Sequence, residues 1–159
     1  MPHIHEKYDF TVSFFLIHRT TRTICLHYHK KLKFWNQLGG HIELNEHPAE
    51  SIERELLEEA GLRKEQYAVY EPHKQPNFKD VMKLPMPFAM PLYKYGNLEH
   101  WHIDLPYIID CKTQDVNPQE GESQDIKWFT QEEIKLKQST KELGDTIFEF
   151  ADWIFSEVM

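Results

Sequence analysis

The chain has 159 residues and a formal net charge of −8, with 18 Lys and Arg against 26 Asp and Glu. That length suits one domain with an ordinary core. No Pro/Gly/Ser-rich linker or repeat period divides it, so residues 1–159 read as a single domain. The acidic balance disfavours nucleic acid, whose phosphates are held by clustered Lys and Arg; the short basic runs Arg19–Arg22 and Lys30–Lys33 suit at most a small anion.

The N-terminus, Met-Pro-His-Ile-His-Glu-Lys, has no apolar stretch ahead of a cleavage site. No run of about eighteen apolar residues follows anywhere, so a membrane partner is not expected and the protein is read as cytoplasmic. Cys25 and Cys111 each lie in an apolar, strand-like run; two cysteines make no disulfide framework at this length, and both are expected as buried thiols.

Phe10–His18 and Thr23–His29 alternate and are rich in β-branched and aromatic residues, with His18–Arg22 as the turn of a hairpin. Phe34–Leu38 reads as a short third strand that enters the pair Gly39-Gly40. Pro48 then suits the first turn of a helix and Gly61 the left-handed residue beyond its end, which predicts a helix over Pro48–Ala60. Ala49, Ile52, Leu56 and Ala60 form its core-facing stripe, and Glu55, Glu58 and Glu59 form a neighbouring one.

Seven acidic residues lie between Glu43 and Glu59, and Arg54 is the only Lys or Arg among them. Like charges three and four residues apart on a helix repel by about 0.2–0.5 kcal/mol per pair, more where the site is partly buried. A divalent cation reverses that sign. The run holds no Cys and no His pair at helical spacing, so hard oxygen donors favour Mg²⁺ or Mn²⁺ over Zn²⁺, with phosphate oxygens of a substrate completing the shell. Arg54 is placed to orient a carboxylate, Glu46 or Glu58, through its planar fork. Gly39-Gly40 allows close backbone approach, which lets a main-chain carbonyl join the metal shell.

Beyond the helix, Glu71–Pro91 is a Pro-containing loop with one strand near its end. Glu99–Cys111 sets His100, His102 and Asp104 against Trp101, Ile103 and Leu105, the alternation of a strand with one polar face. Asp125–Phe129 is another short strand, and Thr130-Gln-Glu-Glu133 is a capping box for a helix starting at Gln131. A last amphipathic helix is predicted over roughly Thr140–Val158. Strands and helices interleave as in a layered α/β domain. His27 with His29, and His100 with His102, share strand faces, but no Cys or third His stands at a characteristic spacing, so histidine metal binding is not expected.

Gly40, five residues, Glu46, seven residues, then Arg-Glu-Leu-x-Glu-Glu-x-Gly-Leu over residues 54–62 resembles the Nudix box at every fixed position. The chain is thus similar to the Nudix hydrolase family, closely over residues 35–62 and loosely to about residue 135. The resemblance implies an α/β/α sandwich around a mixed sheet. It also implies divalent-metal-dependent hydrolysis of a phosphate anhydride in a small nucleotide-type substrate. Gly40, Glu55, Glu58 and Glu59 become the metal ligands, and the general base is either Glu58 or a loop carboxylate. Glu122, six residues before Trp128, stands where many members carry that loop group, with Glu120 as its competitor.

Gly-Gly-His-x-Glu at the box start and the later His-x-Asp strand resemble a subgroup of the family, from which His102, Asp104 and Tyr107 are assigned to substrate contact. Trp35, beside the glycines, is a candidate to stack on a base. Many members resemble dimers, and the apolar hairpin offers a surface for a homodimer partner. The other reading is a nucleotide-sensing binding module without catalysis, although such modules usually lose box glutamates and this chain retains them.

Overall fold

The computed structural model describes residues 7–96 and 99–159. The N-terminal residues read above as lacking a leader, 1–6, lie outside the described residues. Among the described residues no helix is long and apolar enough to cross a membrane.

Two long strands form the spine: β1 (Tyr8–His18) runs parallel to β7 (Trp101–Cys111), in register from Tyr8 opposite Trp101 to Ile17 opposite Asp110. Antiparallel strands flank them. β2 (Thr23–His29) and β4 (Leu38–His41) pair with different halves of β1, while β5 (Tyr67–Val69) and β6 (Leu92–Lys94) do the same for β7. β3 (Phe34–Asn36) and β8 (Ile126–Phe129) join β2, completing a mixed eight-stranded sheet.

α1 (Pro48–Ala60) covers one face; α2 (Gln131–Ser139) and α3 (Asp145–Glu157) cover the other. Residues of β1 alternate between the two cores. Val12, Phe14 and Leu16 pack with Ile52, Leu56 and Ala60 of α1, and Phe15 and Ile17 pack with Ile134, Ile147 and Ile154. Burial on both faces explains the near-continuous apolar run of β1, as expected of a central parallel strand. The arrangement is the three-layer α/β/α sandwich expected from the sequence.

The hairpin, the box helix and the α2 capping box stand where the sequence places them, and Cys25 and Cys111 are buried free thiols. Four details differ. The single third strand is two, because the chain changes partner at Gln37 from β2 to β1, and Gly39-Gly40 belong to β4 rather than to a loop. A 3₁₀ turn at Lys64–Gln66 and β5 lack the length to show in a periodic pattern. The strand expected within the 71–91 loop is β6, immediately after it. The last helix starts at Asp145 behind Gly144, not at Thr140, which instead caps α2; Leu143 continues the apolar period from outside the helix because it is buried in the same core.

Gly61 ends α1 with φ 66°, and a Cβ there would stand 2.4 Å from the carbonyl oxygen of Asn117. Gly96 has a similar φ, 59°, and a Cβ there would meet nothing within 4 Å among the described residues. Replacing each by Ala therefore separates backbone conformation from close approach. Gly96→Ala is expected to cost about 1–2 kcal/mol. Gly61→Ala should cost at least about 1 kcal/mol more, because the 112–125 segment must also move; equal losses in denaturant melts would contradict that packing role.

Candidate functional site

The box helix is fixed at both ends. His47 caps its start: its ring Nδ1 accepts from the Glu50 N–H at 3.4 Å, and the Glu50 carboxylate accepts from the His47 N–H at 3.0 Å. At its end the 112–125 segment docks, with Asn117 N–H donating to the Ala60 carbonyl at 2.8 Å and Gln119 N–H to the Glu58 carbonyl at 2.8 Å. The apolar stripe faces the sheet, and Glu55 and Glu59 are carried inward beside it, at 3% and 9% exposure.

Those two carboxylates meet β4 at its glycines. Gly39 N–H donates to Glu59 Oε2 at 2.6 Å, and a Cβ on Gly40 would fall 2.1 Å from Glu55 Oε1. Any side chain at residue 40 would displace the Glu55 carboxylate from its position.

Arg54 is the hub of the cluster. Its Nε and Nη2 grip Glu46 in a fork at 2.7 and 2.9 Å, its Nη1 donates to Glu55 at 2.7 Å and Glu58 at 3.3 Å, and its Nη2 donates to the His41 carbonyl at 3.0 Å. The expectation that Arg54 holds Glu46 or Glu58 is therefore met by both. Glu46 also accepts from Ser51 Oγ at 2.8 Å. The Arg54 hydrogen bonds hold the Glu46 carboxyl down to about 2.

Glu55 and Glu59 shift the other way. Burial raises both, Glu59 to about 8 despite the Gly39 N–H, and the Glu58 and Glu122 charges raise each further. Glu122 is half-buried and its charge acts on both carboxylates, whereas Glu120 is exposed. Docking of the 112–125 segment thus brings Glu122 into the cluster.

An acidic set around Arg54, two buried carboxylates whose ionisation burial opposes and a glycine cradle fits a divalent ion bound by oxygen. Glu55, Glu58, Glu59 and the Gly40 carbonyl are the groups available to hold it.

The other assigned residues lie elsewhere. Trp35 is core, not a stacking platform: it is 7% exposed and packs on Tyr28 and Phe129, at 5.5 and 4.8 Å between ring centroids, on the α2/α3 face. Strand parity puts His102 and Asp104 on that same face, opposite α1. Asp104 accepts from Thr11 Oγ1 at 2.7 Å and Ser13 Oγ at 2.6 Å, so much of its bonding capacity is used within the strand pair. Tyr107 is buried in the α1-side core, its hydroxyl 3.5 Å from the Pro85 carbonyl. Sequence reasoning missed Asp9 and the ring of His41, which join His100 and His102. The available signal was the polar alternation Asp9, Thr11, Ser13 in an otherwise apolar strand, matching that of β7.

Free of divalent ions, the folded protein keeps Glu59 protonated up to about pH 8, whereas an unfolded Glu ionises above about 4.3. Between those values the folded state holds more protons, so stability falls as pH rises. Glu46 has the opposite sign: its contribution is present above about 4.3 and disappears as pH falls towards 2. His27, lowered by burial to about 4, has the opposite sign below about pH 6.5. The thermal midpoint of chelator-treated protein should therefore decline from about pH 6.5 to pH 8, and Glu59→Gln should flatten the decline. Equal slopes in the wild type and Glu59→Gln over that interval would show that Glu59 is ionised.

A family model described as NUDIX domain matches residues 7–150. Among solved structures, a NUDIX-family hydrolase from Clostridium perfringens is 30% identical with a TM-score of 0.77, the match covering 95% of this chain and 98% of that one. An Ap4A hydrolase from C. elegans in a binary complex shares the fold at 14% identity and TM-score 0.69, over 93% and 96% of the two chains. The E. coli dihydroneopterin triphosphate pyrophosphohydrolase does so at 10% and 0.68, over 96% and 99%. No match was found among curated proteins. A family match over most of the length, carried on the box geometry of α1, shows that this chain belongs to the Nudix hydrolase family.

Proposed function

We propose that the protein hydrolyses a phosphate anhydride in a nucleotide or nucleoside-diphosphate derivative, by attack of water on phosphorus, with Mg²⁺ or Mn²⁺ bound. The observation that carries this reading is the packing of Glu55 and Glu59 against the Gly39-Gly40 backbone, with Arg54 bound to Glu46, Glu55 and Glu58 beside them. Fold relatives include proteins that act on Ap4A and on dihydroneopterin triphosphate, both polyphosphate compounds.

The chain's own groups divide the work. Glu55, Glu58, Glu59 and the Gly40 carbonyl would hold the cation, which supplies positive charge against the diphosphate oxygens. Arg54, gripped by Glu46 and anchored on the His41 carbonyl, holds Glu55 and Glu58 in position. Glu122, or Glu58 from within the ligand set, takes the proton from the attacking water. Glu122 is half-buried on the 112–125 segment that docks against the end of α1, a placement from which it can reach a water at the carboxylates. His102, Asp104 and Tyr107 do not enter this proposal, because their side chains are not gathered with these carboxylates. The two buried thiols suit a reducing, cytoplasmic compartment.

The test is turnover on dNTPs, NADH, ADP-ribose and dinucleoside polyphosphates with and without Mg²⁺, run in ¹⁸O-labelled water. Hydrolysis should need the cation and place ¹⁸O on one phosphate product. Loss of the base should lower kcat by about 10²–10⁴-fold; because Glu58→Gln also loses a cation ligand, a fall in that range for Glu122→Gln at saturating Mg²⁺ names Glu122, and a near-wild-type Glu122→Gln names Glu58. Glu120→Gln should stay within about twofold, as expected for an exposed loop acid. No turnover on any compound, or wild-type rates for both Glu58→Gln and Glu122→Gln, would overturn the proposal; tight binding with intact ligand recovered would mark a binding module instead.

A further inference from the structure

On the sheet face away from α1, three adjacent strands gather a second polar cluster that the box does not use. Asp9 stands on β1, His41 on β4, His102 on β7 directly opposite Asp9, and His100 just before β7. Asp9 is fully buried and His100 is 4% exposed. Asp9 Oδ2 lies 3.2 Å from His100 Nε2 and 3.4 Å from His41 Nε2. One donor atom from each of Asp9, His100 and His102 lies within 4.8 Å of the other two. The His102 ring meets those of His100 and His41 edge-on, at 5.3 and 4.9 Å between centroids.

Bonds of about 2.0–2.1 Å to a tetrahedral ion set donors about 3.3–3.4 Å apart, and the Asp9–His100 separation is already close to that edge. Two imidazoles and a carboxylate suit a zinc-type dication, in contrast to the all-oxygen set on α1. Burial makes the Asp9 charge expensive unless a cation balances it. Three protein donors leave a fourth position for water. The buried Tyr93 hydroxyl, on β6 opposite His102 and without a hydrogen-bond partner among the described residues, shares this face and is suited to accept or donate to such a water.

We propose that Asp9, His100 and His102 bind a Zn²⁺-class ion that ties β1 to β7, separate from the carboxylate site, with His41 orienting Asp9 from its other side. The proposal stands independently of the hydrolytic reading. It is tested on chelator-treated full-length protein, with excess Mg²⁺ present, by equilibrium dialysis against Zn²⁺, by the visible spectrum of bound Co²⁺ and by thermal melts. About one Zn²⁺ per chain should bind, and Co²⁺ should give a tetrahedral spectrum, in both the wild type and the Glu55→Gln/Glu59→Gln variant.

His100→Ala and His102→Ala should each weaken Zn²⁺ by at least about tenfold and abolish the Zn²⁺-induced rise in melting temperature. Asp9→Asn, which keeps the side-chain shape, carries the same expectation where an alanine variant does not fold. Unchanged affinity in the folded His or Asp variants, loss of binding in the Glu55→Gln/Glu59→Gln variant, or no Zn²⁺ binding by the wild type would overturn the assignment.

Discussion

The contact between α1 and β4 is one that glycine alone permits, and the acidic site depends on it. The Glu55 carboxylate occupies the space where residue 40 would carry a Cβ, while the Gly39 N–H reaches Glu59. Gly39 in turn lies so close to the Val12 carbonyl that it too has no room for a side chain. Strand β1, strand β4 and the box helix therefore meet through backbone, with carboxylates at the junction. A side chain at residue 40 would push the Glu55 carboxylate aside, and one at residue 39 would push β4 away from β1.

Given that contact, the electrostatics follow from a shortage of positive charge. Arg54 pairs with Glu46, Glu55 and Glu58, but one guanidinium cannot balance that many acids. Glu46 receives the bidentate grip and stays strongly acidic; Glu55 and Glu59, deeper and less well served, are pushed towards neutrality. The protein accordingly contains both a permanent ion pair, which positions groups, and a set of carboxylates ready to exchange a proton for a metal ion. Helix propensity alone gives no reason to place so many glutamates here, and the arrangement makes sense as a binding surface held in shape by its one cation.

Much of this was legible from residues 40–62 because the cues are local. Pro48 and Gly61 mark the limits of α1 by backbone restriction, and Glu55, Glu58 and Glu59 share a stripe by helical spacing. What was not legible depends on partners far away in sequence. Asp9 meets His102 across the β1–β7 pairing, so spacing rules for metal ligands had nothing to register. Trp35 adjoins the glycines in sequence, yet strand parity sends it to the opposite core. Leu143 kept the period of α3 without belonging to the helix, because burial and helicity are separate properties that periodicity merges.

The parallel pairing of β1 with β7 also bears on how the molecule assembles. These strands are joined in register although about ninety residues separate them in the chain, and among the described residues β2, β4, β5 and β6 attach directly to one or the other. Closing so long a loop costs entropy before the contacts made on closure can offset it, which makes such topologies slow to fold. The β1–β2 hairpin and α1 are local and can form early. The sheet face bearing Asp9 with His100 and His102 exists only after the spine has closed, so this polar interior takes its shape through a long-range pairing and not through local structure.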